Sequence, residues 1–210
     1  MLWDLDGTIA DSRELHWRAW SDVMGAAGYG VTERQFRHSF GQRNDLIIGT
    51  WLPGAEPGLI QHLGEDKEVR FRALVAAEGL EPLPGVHTWI ERLAAAGWRQ
   101  AIASSAPREN VEVMARALGL TTRMAVLVSA EDVSHGKPDP EVFLVTAARL
   151  GVPAARCVVV EDAPAGIEAA RRAAMRSIGV GGGPLEAADV VAASLADLPR
   201  DTFERLVPQR

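Results

Sequence analysis

The sequence predicts an α/β protein, in which a Rossmann-like parallel sheet carries helices on both faces and a helical segment is inserted after the first strand. Short β-branched runs alternate with helical stretches after residue 82, and such alternation is typical of a parallel sheet covered by helices. Residues 12–81, in contrast, show helical periodicity and no convincing strand. We therefore expect residues 1–11 and 82–210 to form an α/β core and residues 12–81 to form a helical insertion.

The first elements in chain order are a strand at Met1–Leu5 and the helices of the insertion. Only three residues precede Asp4, which predicts a short first strand. Ser12–Ala27 has apolar residues at helical spacing, and Thr32 with Gln35 forms a capping box that opens a further short helix. The remaining predicted helices of the insertion are Arg43–Leu52 and Glu65–Glu78. The turn residues between them are Pro53, Gly54, Pro57 and Gly58.

The elements of the core follow from short apolar runs and from glycines that end helices. The predicted strands after the insertion are Trp98–Ala103, Ala125–Val128, Cys157–Val160 and Arg176–Val180. The predicted helices are Val86–Ala96, Arg108–Leu118, Glu141–Leu150 and Ala163–Ala174. The glycine run 181–183 opens no long helix, so we expect a flexible loop there rather than a dinucleotide-binding fingerprint.

The composition is that of an ordinary globular protein, with 47% hydrophobic and 24% charged residues in 210. A net charge of −6 disfavours a nucleic-acid-binding protein, which normally carries a basic patch. No apolar run approaches the roughly 18 residues of a membrane span, and acids at the N-terminus argue against a signal peptide. Cys157 is the single cysteine, which suits a reducing compartment and a buried thiol. We expect a monomeric cytoplasmic protein without nucleic-acid or membrane partners.

The most informative motif is Asp4-Leu5-Asp6-Gly7-Thr8 at the end of the first predicted strand. Alternation along a strand would point Asp4 and Asp6 to the same side. Two carboxylates aimed together repel each other unless a cation neutralises them, and Mg²⁺ is suited to such a place. A surface turn is the alternative interpretation, because Asp-Gly dipeptides are common in turns.

Three further polar clusters follow other predicted strands, where open parallel sheets bind their ligands. Ser104 and Ser105 could bind a phosphate through hydroxyl and amide groups, although a serine at such a position, taken alone, more often caps a helix. Lys137 lies in a proline-rich turn and could reach the same crevice, or it could be an ordinary surface lysine. Glu161 and Asp162 follow the Cys157–Val160 run, where acids need a partner such as a metal or cap the next helix. Their joint occurrence favours one site.

These motifs resemble those of the haloacid dehalogenase superfamily, closest to its beta-phosphoglucomutase-like phosphatase branch. DLDGT, IASS, GKPDP and VVVEDAPAGIEAA occur in that order along essentially the whole chain. The resemblance implies that Asp4 is a nucleophile that forms an aspartyl-phosphate, and that Asp6 is the general acid and base. It further implies that Ser104 and Lys137 bind the transferring phosphoryl group.

The resemblance also implies a metal and a cap. Mg²⁺ would be held by Asp4, the backbone carbonyl of Asp6 and Asp162, with Glu161 supporting through water. The helical insertion resembles the cap that closes over the substrate in this family. Within it, Glu14–Trp20 and Gly41–Asp45 match family segments that meet the substrate.

Two residues of these segments are candidate substrate ligands. His16 could bind substrate or simply pack, since histidine serves either role. Arg43 could anchor a second anionic group by bidentate hydrogen bonds, or it could be a surface charge. Trp17 and Trp20, three residues apart, are expected to pack within the helical insertion.

The resemblance leaves several functions open. We expect a Mg²⁺-dependent phosphatase acting on a small phosphorylated metabolite, with a sugar phosphate as the expected class. Thr8 and the stretch Ser104–Pro107 favour hydrolysis, whereas His16 and Trp20 are also compatible with a beta-phosphoglucomutase-type mutase. Mutases of this branch place a serine, lysine or asparagine where Pro107 stands, and only Arg108 could replace that group. A catalytically idle binding module on the same fold is the non-enzyme alternative.

Overall fold

The protein divides into two compact units in a computed structural model that describes residues 1–40 and 42–207. One unit combines Met1–Asp11 with Glu81–Arg210, and the other is Ser12–Leu80. The first unit contains every strand among the described residues, and the second contains helices. Glu81, which was expected to lie in the insertion, belongs to the first unit.

The first unit is built on a six-stranded parallel sheet with the order β3-β2-β1-β4-β5-β6. The predicted fold class, α/β with a parallel sheet, is confirmed. The strands are β1 Leu2–Trp3, β2 Ala101–Ala103, β3 Val126–Val128, β4 Val158–Glu161, β5 Arg176–Val180 and β6 Val190–Ala192.

The described helices are α1 Arg13–Ala26, α2 Glu33–Ser39, α3 Asn44–Trp51, α4 Pro57–Glu78, α5 Val86–Ala95, α6 Arg108–Ala117, α7 Glu141–Leu150, α8 Pro164–Arg172 and α9 Thr202–Leu206. Along the described ranges, no helix is long and apolar enough to cross a membrane.

Strand β1 lies in the middle of the sheet and pairs in parallel with β2 on one side and β4 on the other. Leu2 pairs with Ala101 of β2 on one side and with Val159 of β4 on the other. The predicted strand Met1–Leu5 was too long, because β1 stops at Trp3. The carbonyl of Leu5 instead accepts hydrogen bonds from the backbone N–H groups of Ile9 and Ala10, at 3.0 and 3.1 Å, which turn the chain.

Both faces of the sheet are covered by helices. On one face, Leu2 packs in a buried cluster with residues of α7 and α8, including Phe143 and Ala170. On the other face the Trp3 ring lies 6.5 Å from that of Phe203 in α9. The indole N–H of Trp3 donates to the side chain of Gln100 at 3.0 Å, so the one polar atom of this large side chain is satisfied. Alternating side chains of a central strand thus fill two apolar layers.

The helical unit has its own apolar core. Trp20, Phe36 and Ile48 are fully buried in one cluster, and the Trp20 ring meets that of Trp51 at 5.0 Å. The prediction that Trp17 and Trp20 pack within the helices is confirmed. The capping box of Thr32 and Gln35 is present at the start of α2, as predicted.

Other predicted bounds also differ from the structure. Strand β2 begins at Ala101, three residues after the predicted start at Trp98. Pro57 and Gly58, predicted to lie in a turn, form the first residues of α4, which therefore begins eight residues before Glu65. Proline is favoured in the first turn of a helix, because the N–H it lacks would have no partner there. Strand β6 and helix α9 were not predicted, since both are short and weakly patterned.

Gly85, at the start of α5, provides a test of the fold. Its φ of +88° is a conformation that favours glycine, and a Cβ there would lie 2.4 Å from the backbone nitrogen of Ala196. Gly85→Ala should therefore lower the free energy of unfolding by about 2 kcal/mol or more. Gly49→Ala, inside α3 with open space around it, should instead be neutral or stabilise by up to about 1 kcal/mol. Urea unfolding of both variants measures this difference, and equal midpoints would contradict it.

Candidate active site

Three strand ends deliver polar side chains to one edge of the sheet. The backbone N–H of Asp4 donates to the carbonyl of Val160 at 3.0 Å, so Asp4 follows β1 at the level where β4 ends in Glu161. The sequence predicted that Glu161 would be the first residue after this strand. Glu161 is instead the last residue of β4. Ser104 directly follows β2, and its N–H donates to the carbonyl of Val128. Parallel strand ends therefore meet where ligands bind in such sheets.

Lys137 connects two of these strand ends. Its ammonium donates to Asp4 Oδ1 at 2.5 Å and to Glu161 Oε1 at 2.7 Å, with the carbonyl of Ala103 at 3.3 Å. All three charged side chains are at most 10% exposed. The surface-lysine interpretation is therefore wrong, because Lys137 lies inside the site.

The turn that carries Lys137 is fixed by two acids at the start of α7. Glu141 Oε2 accepts hydrogen bonds from the backbone N–H groups of Ser134 and His135 at 2.9 and 2.8 Å. Asp139 Oδ1 accepts one from the N–H of Glu141 at 3.0 Å. These bonds hold both ends of the turn, and so they orient the long side chain of Lys137 toward the strand ends.

Two glycines allow the acids to approach the backbone. A Cβ on Gly7 would lie 2.2 Å from Asp162 Oδ2, and a Cβ on Gly166 would lie 1.8 Å from Glu161 Oε1. Thr8, which is buried, donates from its hydroxyl to Asp162 Oδ1 at 3.3 Å. Glu161 Oε2 also accepts from the N–H of Ala163 at 2.8 Å, so Glu161 both binds Lys137 and reaches the start of α8. Neither glycine was predicted from the sequence to have this role.

Burial changes the acidity of these groups. Burial raises the pKa of Asp4 well above its usual range, and Lys137 opposes that rise while Glu161 and Asp162 add to it. Burial also raises the pKa of Asp162 to about 7, with the Glu161 carboxylate as a further cause. For Lys137, burial alone would lower the pKa, but the carboxylates of Asp4 and Glu161 outweigh it and the pKa is raised. The site thus holds more negative charge than its lysine balances.

The donor set fits a hard divalent cation. Asp4, Glu161 and Asp162 each place a carboxylate oxygen within 4.8 Å of the others. Three carboxylates against one ammonium leave a net negative charge in a poorly hydrated place, which is costly without a further cation. Oxygen donors of this kind suit Mg²⁺, which takes one or two carboxylates and retains water ligands.

The remaining predicted core residues lie around this group. Asp6 is half-buried beyond the end of β1, where it forms an isolated bridge with Ala10, so strand alternation does not determine its direction. Ser104 is buried and its hydroxyl accepts from the N–H of Ala106 at 3.0 Å. The residue that caps α6 is Pro107, so the interpretation of a serine cap on that helix was wrong. Ser105 is exposed.

The two candidate residues of the helical unit have different surroundings. His16 is buried, stacks on Phe71 with ring centroids 3.9 Å apart and meets the edge of Phe40 at 5.8 Å. Arg43 is exposed at the start of α3, where its Nε donates to Asp45 Oδ1 at 3.2 Å. Gly41, part of the segment expected to meet the substrate, lies outside the described residues.

The chain is similar to known proteins along most of its length. It is 34% identical over 184 residues, 86% of this chain, to Protein SUPPRESSOR OF QUENCHING 1, chloroplastic, of Arabidopsis thaliana, of which the match spans only 17%. It is 32% identical to Fructose-1-phosphate phosphatase YqaB of Escherichia coli, covering 86% of this chain and 95% of that protein. It is 31% identical to Beta-phosphoglucomutase of Bacillus subtilis, covering 94% and 90% respectively.

The fold agrees with these similarities. The crystal structure of CbbY from Rhodobacter sphaeroides in complex with xylulose-(1,5)bisphosphate superposes with a TM-score of 0.86 at 28% identity, covering 94% of each chain. The model of the haloacid dehalogenase-like hydrolase family matches residues 1–180, which include all four motifs and the buried acids with their lysine. The chain therefore belongs to the haloacid dehalogenase-like hydrolase family.

Proposed function

We propose that this protein is a Mg²⁺-dependent phosphatase that hydrolyses a small phosphorylated metabolite, with a sugar phosphate as the substrate class. The observation that carries the proposal is the placement of Asp4, a buried carboxylate at the end of the central strand, against Lys137 and two further acids. The similarity to a relative named for fructose-1-phosphate supports the substrate class.

Asp4 is the proposed nucleophile. One of its carboxylate oxygens attacks phosphorus while the bond from phosphorus to the ester oxygen breaks, which leaves an aspartyl-phosphate and the free alcohol. Asp6 supplies the proton that the leaving oxygen needs. In the second step Asp6 takes a proton from water as the water oxygen attacks phosphorus. Inorganic phosphate leaves, and the Asp4 carboxylate is restored.

Lys137 and Ser104 are proposed to bind the transferring phosphoryl group. The Lys137 ammonium already neutralises Asp4 Oδ1, and it can offer its donors to phosphoryl oxygens as charge develops on them. The Ser104 hydroxyl can donate to the same group while it accepts from the N–H of Ala106. Ser105, which is exposed, is proposed to assist as a further hydroxyl donor. Lys137 thus orients Asp4 before substrate arrives, and it opposes the rise that burial causes in the pKa of Asp4.

Mg²⁺, held by Asp4, Asp162 and the Asp6 carbonyl with support from Glu161, would supply the positive charge that this group of acids lacks. The proposal agrees with the raised pKa of Asp162 and Asp4, since a bound cation favours the ionised form of both. Thr8 keeps Asp162 in place through its hydroxyl.

A mutase that returns the phosphoryl group to the sugar is the second candidate, because a beta-phosphoglucomutase is among the relatives. One observation weighs against it. Arg108, the residue that could hold a second phosphate after Pro107, donates from its guanidinium to Asp132 at 2.8 Å, and Asp132 is also bound by Arg149. Asp132 is only 6% exposed and also accepts from the N–H of Ser129. The guanidinium of Arg108 is therefore held more firmly than that of Arg43, whose partner Asp45 is exposed.

Two assays test the proposed function. Phosphate release from p-nitrophenyl phosphate should disappear with EDTA and return with Mg²⁺. With β-glucose 1-phosphate and a trace of the 1,6-bisphosphate, the phosphatase should release free phosphate. Accumulation of glucose 6-phosphate without free phosphate would show a mutase instead, and the absence of both activities would contradict the proposal.

Asp4→Asn should lower kcat by at least about a thousandfold, because an amide oxygen is not a competent nucleophile. Steady-state phosphate release measures the effect. Asp66→Asn, the same change on an exposed residue of α4, is the control and should retain full activity. Turnover close to wild type in Asp4→Asn would remove Asp4 from the mechanism.

Asp162→Asn should act through the metal. The amide can still accept the hydrogen bond from Thr8, but it loses the negative charge, so the Mg²⁺ concentration for half-maximal activity should rise about tenfold to a hundredfold. Manganese titration followed by electron paramagnetic resonance measures the same loss without substrate. An unchanged metal titration would place Asp162 in a purely structural role.

We propose that Arg43 recognises the part of the substrate distal to the phosphoryl group, as the resemblance of Gly41–Asp45 to a family segment implies, and Arg43→Ala tests this role. It should lower kcat/KM for the best sugar phosphate by about tenfold to a hundredfold, while p-nitrophenyl phosphate, which offers nothing distal, is hydrolysed as before. Arg37→Ala removes an exposed arginine of α2 and should affect neither substrate. Lys137→Ala, in contrast, should impair both substrates. Equal effects of Arg43→Ala on the two substrates would end the proposed role of Arg43.

A further inference from the structure

A buried polar bridge joins the start of α3 to the middle of α4 inside the helical unit. Glu68 Oε1 accepts hydrogen bonds from the amide of Asn44 at 2.7 Å and from the ammonium of Lys67 at 2.9 Å. The side chains of Lys67 and Glu68 are only 4% and 10% exposed. Oε1 of Glu68 thus accepts one hydrogen bond from α3 and one from α4.

The surroundings of the bridge are aromatic and apolar. The Lys67 ammonium lies 5.4 Å from the ring centroid of Trp20 and 5.5 Å from that of Phe71. Burial would raise the pKa of Glu68, but Lys67, Asn44 and His16 outweigh it and lower that pKa. Glu68 is therefore held as a carboxylate in the interior of the helical unit.

The bridge positions the segment that carries Arg43. Arg43 is the residue before α3, and it makes no side-chain capping hydrogen bond in the described structure. Asn44 is the first residue of α3, and its amide reaches both Glu68 and the carbonyl of Gly64, one turn earlier on α4. The first turn of α3 is consequently fixed to α4 through Asn44.

Stability alone is a weak explanation for this arrangement. Buried ion pairs are commonly no more stabilising than apolar residues of similar volume, because both charges lose their hydration. Neighbouring contacts between α3 and α4 are apolar, and Ile47, Ile48 and Leu63 form part of one cluster. Apolar packing resists separation of two helices, whereas directional bonds to one oxygen fix the rotation and position of a helix end.

We propose that Glu68 is a positioning residue for substrate selection: it fixes the start of α3 through Asn44 and so holds Arg43 where it meets the distal part of the substrate. This inference rests on the proposed phosphatase function and narrows it. Glu68 does not touch the reacting atoms, and its effect is confined to substrates that have a distal group.

The test compares Asn44→Ala and Glu68→Gln with Glu65→Gln. Glu65 lies on the same helix, is exposed and accepts a hydrogen bond from Gln61, so its change to glutamine is a matched control. Asn44→Ala and Glu68→Gln should each lower kcat/KM for the best sugar phosphate by about tenfold, with p-nitrophenyl phosphate changed less than about twofold. The double variant should lose no more than the more impaired single variant, since both act through one bridge.

A second arm needs no activity. The N–H of Ile47 donates to the carbonyl of Arg43 and closes the first turn of α3. Its hydrogen exchange should become faster in Asn44→Ala and Glu68→Gln and stay unchanged in Glu65→Gln. Circular dichroism of Asn44→Ala, whose side chain is partly exposed, establishes that the helices remain folded.

The outcomes separate the two proposals. Equal losses on both substrates, additive losses in the double variant or unchanged exchange at Ile47 would each overturn the role of Glu68. If the wild-type protein hydrolyses no phosphate ester, the proposed function fails, while faster exchange at Ile47 would still support the positioning of α3 by Glu68.

Discussion

The ammonium of Lys137, buried between the carboxylates of Asp4 and Glu161, allows two neighbouring strand ends to carry acids side by side. Without that cation, Asp4, Glu161 and Asp162 would repel one another in a place where water screens little. Other features of the site bring Lys137, Asp4 and Glu161 together. The parallel register brings β1 and β4 to the same level, and Asp139 and Glu141 fix the turn that delivers the lysine.

Much of this arrangement could be predicted from the sequence. Strand–helix alternation predicted the parallel sheet, and Asp4, Ser104 and Glu161 lie at strand ends as predicted. Lys137 instead lies in the turn before α7, away from the end of β3. The errors at the ends of elements have local physical causes. Leu5 is fully buried and apolar, so it resembled a strand residue, yet its carbonyl turns the chain by accepting from Ile9 and Ala10. Pro57 was assigned to a turn, although proline also begins helices.

Other features depend on contacts between residues far apart in sequence, which no local pattern reveals. Gly7 is required because Asp162 lies where its Cβ would be, 155 residues later in the chain. The hydrogen bond from Asn44 to Glu68 joins α3 to α4. In the sequence, each of the two residues is only a polar residue within its own helix, and nothing indicates that they meet. The sequence left Lys137 either in the crevice or on the surface, and its burial follows from the way the turn folds.

The most direct test of the account is to identify the residue that carries the phosphoryl group during turnover. The enzyme is mixed with the best sugar phosphate and Mg²⁺, quenched in acid within a single turnover, and digested for peptide mass spectrometry. The account predicts one phosphoryl group on Asp4, formed and lost at rates that match turnover. Phosphate released in a single turnover with Asp4 unmodified, or a phosphoryl group on another side chain, would contradict it.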